Sequence, residues 1–357
     1  MRPTRLCVIL IVLLSSSALG AVGTEDLLLR ASLNLWGADV ALGWKGLRLI
    51  PGVDTVFWAS AGAGYDAENY FAGPDDAVLP ADPTALRYHN FSYTWRLGVA
   101  QGILYNREQK RNLLELILLY RGKHQYYLDP NGVLAGLPDS SGLLQNSLFT
   151  GLVFDNVLSN LTYATQKGLY LGVGVEFVPQ ALANTVLGAS DYIDLSLVAS
   201  GFLTLLETRA LSVYLADRVL YDQLIGDDAW IPLNARSSFS ALATVPIGRY
   251  PFHGLGGALR GISLDRYDGY VKLVNNLEVR LHYPSLTLFN LITPGLIVFF
   301  DAGVFDHLSR QLLFQPIYCS TGLGLAFYGL GYELVLYGAY FINENRFKPV
   351  LEFSAHF

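Results

Sequence analysis

Phe347-Lys348-Pro349-Val350-Leu351-Glu352-Phe353-Ser354-Ala355-His356-Phe357 ends the chain with an apolar residue at every second position. Alternation at period two describes a strand with one apolar face, here Phe347, Pro349, Leu351, Phe353, Ala355 and Phe357. Lys348, Val350, Glu352, Ser354 and His356 occupy the other face. A last residue that is aromatic and lies on the apolar face fits the closing strand of a bacterial outer-membrane β-barrel. There the outward residues meet lipid, and aromatic rings sit at the membrane–water boundary. Residues 347–357 are therefore read as a closing strand, with Phe353 and Phe357 as its assembly signal.

Working outward, the opposite end reads as an export signal. Arg2 and Arg5 precede the apolar run Leu6 to Leu14, and Ser15 to Gly20 is small and weakly polar. Ala18 and Gly20 suit a cleavage site, which predicts a signal peptide over 1–20 and a mature start near Ala21. The apolar run is short for a membrane-spanning helix, which needs about 20 residues. Residues 21–357 are expected to form one outer-membrane β-barrel with no preceding soluble domain.

Composition agrees. The chain is 52% hydrophobic and only 15% charged, against about 25% charged in ordinary soluble domains. Its most apolar stretch, Leu286 to Phe300, is interrupted by Asn290, Pro294 and Gly295. High apolar content without long apolar runs is what strand alternation produces. Removing residues 1–20 takes away Arg2 and Arg5 and no acids, so the mature chain is more acidic than the formal −6 of the whole. That balance gives no electrostatic footprint for nucleic acid. Cys319 is the only cysteine after the signal, so no internal disulfide is expected.

The fold class expected is all-β: a transmembrane antiparallel barrel of sixteen strands, with fourteen as the alternative. Leu169, Leu171, Val173, Val175 and Phe177 alternate with Tyr170, Gly172, Gly174 and Glu176. Ile193, Leu195, Leu197 and Ala199 alternate with Asp194, Ser196, Val198 and Ser200. Leu277, Val279 and Leu281 alternate with Asn276, Glu278, Arg280 and His282. Further strands are expected near 39–49, 54–65, 90–104, 112–125 and 210–221. Pro51 to Asp54 reads as a tight connection, and 73–83, 128–142 and 224–235 as long loops. Glu278 and Arg280 fall on the polar set and are expected to line the lumen. The five tryptophans fit interfacial girdles.

One segment departs from simple alternation. Gly254 to Tyr270 contains Gly256-Gly257, Leu259-Arg260-Gly261 and Arg266-Tyr267, and Phe299-x-Asp301-x-Gly303 follows on a later strand. A glycine-rich loop can fold back into a lumen, because glycine tolerates unusual backbone angles. Asp301 shares its face with Phe299 and Gly303, opposite Val298, Phe300 and Ala302. A charge turned to lipid at mid-membrane is destabilising by about 2–4 kcal/mol, less for Asp than for Arg or Lys. Asp301 is thus expected to face inward and to pair with Arg260, locking residues 254–270 inside the barrel. The alternative is a solvated Arg260 on an external loop and an unrelated lumenal Asp301.

These residues resemble the BamA/TamA superfamily, the bacterial surface antigen family. Its sixth loop carries Val-Arg-Gly-Phe/Tyr after a Gly-Gly pair and before Arg-Tyr/Phe, and a later strand carries Phe-x-Asp-x-Gly. Here Ile262 stands where the family has an aromatic residue. Phe154-Asp155-Asn156 and Lys167-Gly168-Leu169-Tyr170 resemble the family's strand–Asp–turn–Gly–strand hairpin, without its Arg beside that Asp or its turn proline. The likeness covers about residues 150–357.

The resemblance implies a non-enzymatic role in inserting or translocating proteins or lipids at the bacterial outer membrane. A weak seam between first and last strands, pairing with client strands, would be the mechanism. Its implied partners are outer-membrane lipids and the barrel-assembly machinery during biogenesis. With the first strand expected near Leu27, no room is expected for the family's periplasmic POTRA repeats, so client capture is expected to need a periplasmic or POTRA-bearing partner. The competing reading is a passive porin-like channel with a loop plug. No catalytic constellation, cofactor motif or metal-ligand spacing is present: the six histidines are scattered, and Gly172-x-Gly174 and Gly322-x-Gly324 sit in strands, not before helices.

Overall fold

The computed structural model describes residues 27–34, 37–45, 49–69, 87–128, 142–160, 163–236, 259–260, 269–288, 292–306, 315–329 and 332–355. The expected signal peptide lies outside these residues. Fifteen strands follow one another: β1 (Leu27–Asn34), β2 (Gly37–Trp44), β3 (Thr55–Asn69), β4 (Arg87–Asn106), β5 (Arg111–Tyr127), β6 (Leu143–Asp155), β7 (Leu158–Asn160), β8 (Thr165–Val178), β9 (Tyr192–Glu207), β10 (Ser212–Gly226), β11 (Val271–His282), β12 (Thr293–Asp306), β13 (Tyr318–Gly329), β14 (Tyr332–Phe341) and β15 (Arg346–Ala355). Among the described residues every pairing is antiparallel and joins chain neighbours, except that β8 pairs with both β6 and β7. Among the described residues, no helix is long and apolar enough to cross a membrane.

Asp155 of β6 faces Tyr170 of β8, and Leu158 of β7 faces Lys167, so the register runs unbroken across Asn156 and Val157. The gap arises because the Leu169 N–H donates to the Asn156 side chain at 2.6 Å, while the Asn156 N–H still donates to the Leu169 carbonyl at 3.1 Å. Gly168 meets this stitch at φ +123°, a left-handed conformation that favours glycine. β6 and β7 are one strand by register, and the described residues make fourteen strands along the sheet. That is the alternative count, not the sixteen first expected.

Burial follows the alternation. Leu169, Leu171, Val173, Val175 and Phe177 are exposed, whereas Tyr170 and Glu176 are buried. On β12, Val298 and Phe300 are exposed while Phe299 and Asp301 are buried. One face is thus an apolar belt suited to lipid, and the other is an enclosed wall carrying polar and aromatic groups. The inner wall holds one buried cluster running from Val157 and Tyr170 to Tyr318 and Phe341, and a second around Trp58, Ala100, Ile117 and Phe149. Trp58 therefore corrects the expectation that every tryptophan sits in an interfacial girdle: it points inward.

Connections differ in length between the two rims. One rim carries 45–54, 107–110, 161–164, 208–211, 283–292 and 330–331; the other carries the long stretches 70–86, 128–142, 179–191 and 227–270. The segment 224–235 is not all loop: β10 continues to Gly226, and a short helix α1 (Leu233–Arg236) follows. In outer-membrane barrels the long connections face the cell exterior.

Glycines set how closely the strands are dressed by rings. Gly98 of β4 faces Trp58 of β3, and Gly122 of β5 faces Trp95 of β4. A Cβ on Gly122 would lie 1.8 Å from Trp95 Cε2. The indole ring lies across the glycine, so even one methyl group overpacks the site. Gly122→Ala should destabilise the barrel by about 1–3 kcal/mol, and adding Trp95→Ala should recover part of that loss. Urea unfolding in detergent micelles checks this; a Gly122→Ala chain as stable as the wild type would contradict the packing.

Candidate functional site

β11 and β12 build the site from their register. Asn276 faces Asp301 and Glu278 faces Phe299. Period two then places Asn276, Glu278 and Arg280 of β11, with Phe299 and Asp301 of β12, on the inner wall. All five are buried.

Arg260 enters this wall from the 227–270 connection and is itself 2% exposed. Its Nε donates to Asp301 Oδ2 at 2.9 Å and its Nη2 to Asp301 Oδ1 at 2.5 Å, two parallel bonds that match the planar fork. Its Nη1 donates to Glu278 Oε1 at 2.5 Å, and its backbone N–H also reaches Asp301 Oδ2 at 3.0 Å. The guanidinium carbon lies 3.8 Å from the centroid of the Phe299 ring and 5.0 Å from that of Tyr337. A dry guanidinium is tolerable only when each donor edge meets an acceptor and the flat face meets a ring. Arg260 has both.

The network extends beyond the central pair. Glu278 Oε2 accepts from Arg280 Nε at 2.5 Å, so this carboxylate bridges two arginines. Arg280 Nη1 reaches the Tyr214 hydroxyl at 3.2 Å. Asn276 Nδ2 donates to Asp301 Oδ1 at 2.9 Å, and Asn276 Oδ1 accepts from Arg218 at 2.8 and 3.1 Å. The Ser320 hydroxyl donates to Asp301 at 3.4 Å. Opposite charges alternate with neutral acceptors, which keeps like charges apart in an enclosed space.

Small residues make room. A Cβ on Gly303 would lie 3.0 Å from Leu259 Cδ1 and 2.9 Å from Phe305, so Gly303 leaves the volume that Leu259 fills. Gly322 of β13 lies opposite Phe299, and Gly324 opposite Tyr337. Their missing side chains leave a floor on which the two rings meet edge to face, with centroids 5.4 Å apart.

The base of the connection is also stitched. Leu224 N–H donates to the Tyr270 carbonyl at 2.7 Å, and Gly269 N–H to the Arg236 carbonyl at 3.1 Å. Lys272 Nζ donates to the last carbonyls of α1, Ala235 at 3.0 Å and Arg236 at 3.2 Å, and lies 3.7 Å from Asp222. A lysine at the C-terminal carbonyls satisfies acceptors the helix cannot reach.

The structure brings together Arg260, Asp301, Phe299, Gly303, Leu259, Glu278 and Arg280. Gly256, Gly257, Gly261, Arg266, Tyr267 and Phe357 lie outside the described residues. The backbone of Phe353 pairs with Leu334 in β15, and its side chain is outside the described set. Asn276, Arg218, Ser320 and Tyr337 join the site without having been singled out; Asn276 stood in the β11 alternation, but nothing in its local pattern marked it as a partner. Asp155, lacking a neighbouring Arg in sequence, receives one from β5: Arg111 Nη1 lies 3.2 Å away, and Arg111 Nη2 also donates to the Val157 carbonyl at 2.6 Å.

Removing Arg260 would take the fork bonds from Asp301 and one of its two arginines from Glu278, both carboxylates being buried. Arg260→Ala should destabilise the barrel by about 3–5 kcal/mol, the range for breaking a buried pair. Arg260→Lys should recover little, because an ammonium cannot make the paired fork bonds. Arg260→Asp combined with Asp301→Arg should be more stable than the sum of the single losses predicts. Detergent-micelle unfolding of the four chains checks this, and strictly additive losses would argue against a direct interaction.

No family model matches the chain, and no curated protein matches its sequence. Among solved structures, BamA from Haemophilus ducreyi lacking POTRA domains 1–3 is similar with a TM-score of 0.54 and 12% identity, over 92% of this chain and 64% of that one. CdiB from Acinetobacter baumannii follows at a TM-score of 0.48 and 13% identity, over 92% of this chain and 52% of that one. The chain thus spans less than two thirds of the length of these solved chains. At 12% identity the likeness is one of architecture, and in those terms the chain folds as a BamA-type antiparallel β-barrel sheet.

Proposed function

We propose that this chain is a non-enzymatic outer-membrane barrel that assists insertion or translocation of other polypeptides, or of lipids, through a seam between its first and last strands. The observation that carries the proposal is the state of the sheet edges. Among the described residues β1 pairs only with β2, β15 pairs only with β14, and no pairing joins β1 to β15. Unpaired edges are templates for another strand.

Arg260 would hold the 227–270 connection in the lumen, keeping the inner wall shaped while the seam exchanges partners. A periplasmic or POTRA-bearing partner would deliver clients, and the barrel-assembly machinery would insert this chain itself.

The competing reading is a passive channel plugged by the same connection. Depletion in the native host separates them: loss of other outer-membrane proteins from the membrane fraction is expected. Pure protein in planar bilayers should show no large steady openings. Large steady conductance, together with unimpaired outer-membrane assembly on depletion, would decide for the channel.

A further inference from the structure

On the outward face of β4 and β5, aliphatic side chains give way to rings at one level. Read toward the long-connection rim, β4 presents Leu97, Trp95, Tyr93 and Phe91, and β5 presents Leu118, Tyr120, Gly122, His124 and Tyr126. The register sets Leu97 beside Tyr120, Trp95 beside Gly122, Tyr93 beside His124 and Phe91 beside Tyr126. This set contains no charged residue: Arg96, Arg121 and Lys123 alternate with it and fall on the inward face.

The ring-bearing zone is tall. From Tyr120 to Tyr126 the strand climbs about 16 Å, at about 3.4 Å per residue and a tilt of about 40°. The headgroup layer of a phospholipid bilayer is only about 5–8 Å thick on each side of the hydrocarbon core. One interfacial girdle needs one layer of rings, yet rings here occupy four successive rows. Tyr93 and His124 stack with centroids 6.1 Å apart, and Phe91 meets Tyr93 edge-on at 5.1 Å. Tyr93 and Tyr126 are exposed.

Where the rings begin, the wall is also hollow. A cavity of about 620 Å³ opens outward between Leu97, Leu118, Tyr120, Leu148, Val175 and Phe177, within the size range of ligand sites. Leu97, Tyr120, Leu148 and Phe177 form one row across four strands, and Val99, Leu118, Thr150 and Val175 form the row beneath. Short side chains at Val99, Thr150 and Val175 below longer ones leave the hollow. The Tyr120 hydroxyl closes its upper end by donating to Asn146 Oδ1 at 2.8 Å. Asn146 is in turn held by the 179–191 connection: its Nδ2 donates to the Leu182 carbonyl at 2.8 Å and its N–H to Asn184 Oδ1 at 2.6 Å.

Long connections mark the cell exterior, so the cavity lies in the outer leaflet with the rings above it. Apolar walls continuous with the lipid belt suit an acyl chain. The zone above selects the headgroup. A phosphate seeks Lys or Arg, which this set lacks. A sugar lays its C–H face on a ring and bonds its hydroxyls to the polar edges of Tyr, Trp and His.

We propose that the outward face of β4, β5, β6 and β8 binds one oligosaccharide-bearing glycolipid of the outer leaflet, with an acyl chain in the cavity and sugars on Trp95, Tyr93 and His124. This inference rests on the membrane-barrel reading above.

The test offers the full chain, refolded in dodecylmaltoside, equal amounts of rough-type lipopolysaccharide, lipid A and phosphatidylethanolamine, and reads the retained lipid by native mass spectrometry. One lipopolysaccharide should stay bound per chain, several-fold over either competitor. Thr150→Trp fills the cavity from an exposed position and should cut that retention several-fold. Val99→Phe repeats the test if Thr150→Trp fails to fold, as judged by heat-modifiable migration. Tyr93→Ala with His124→Ala should lower lipopolysaccharide to the level of lipid A and leave lipid A unchanged. Equal retention of the three lipids overturns the proposal, as does lipopolysaccharide retention untouched by either the cavity or the ring change. A dimer that Thr150→Trp dissolves also overturns it, because a second copy is then the occupant. Flotation with phosphatidylethanolamine–phosphatidylglycerol vesicles separates the two readings: a chain that does not float with them sinks the membrane barrel and this proposal together, whereas one that inserts but retains no lipopolysaccharide sinks this proposal alone.

Discussion

A guanidinium group taken out of water must recover every hydrogen bond it gives up, and the inner wall of this barrel is arranged around that requirement. Arg260 meets Asp301 through two parallel bonds and Glu278 through a third, with Phe299 beneath its flat face. The carboxylates impose the reciprocal demand. Asp301 also takes bonds from Asn276 and Ser320, and Glu278 also takes one from Arg280. Satisfying one buried charge thus recruits residues from β10, β11, β12 and β13, together with a connection far from them in sequence. Such a network is stabilising only when complete, since a partial one leaves a charge dry and unopposed. That makes it a device for specifying one arrangement of the connection.

Aromatic rings and glycines perform the corresponding task where charge is absent. Trp58 over Gly98, Trp95 over Gly122, Phe299 over Gly322 and Tyr337 over Gly324 repeat one motif: a ring on one strand lies across a bare backbone on the next. It serves the outward face at Trp95 and the inward face at Trp58. At Gly322 and Gly324 it also shapes the seat of Arg260. The Gly-x-Gly pair on β13 thus has a packing role in a strand and needs no phosphate to explain it.

Strand identity was legible in the sequence because alternation is local. The exposed and buried sets of β8 and β11 can be written down from spacing alone, because period two puts successive side chains on opposite faces of the sheet. Lengths were less legible. β3 was expected over 54–65 and runs to Asn69, and β4 was expected over 90–104 and runs from Arg87 to Asn106, because the β3–β4 ladder goes on pairing, as far as Asn69 with Arg87, where the apolar alternation has ended. The long-range partners were the least legible. Arg111 is far from Asp155 in the chain, and Tyr337 carries no local mark of its place beside Arg260. Only sheet register brings such residues together, and register is not written in any one strand.

Parity follows from the stitch at Asn156. Because its side chain carries the ladder across the gap, β6 and β7 count once, and among the described residues the path has an even number of members. With every neighbour antiparallel, an even path leaves β1 and β15 running in opposite directions. A lone guest segment placed between them would have to lie parallel to one edge. A guest hairpin, with two arms of opposite polarity, can meet both edges antiparallel at once, so any sequence admitted there in pairs preserves the sheet's alternation, and one admitted singly breaks it.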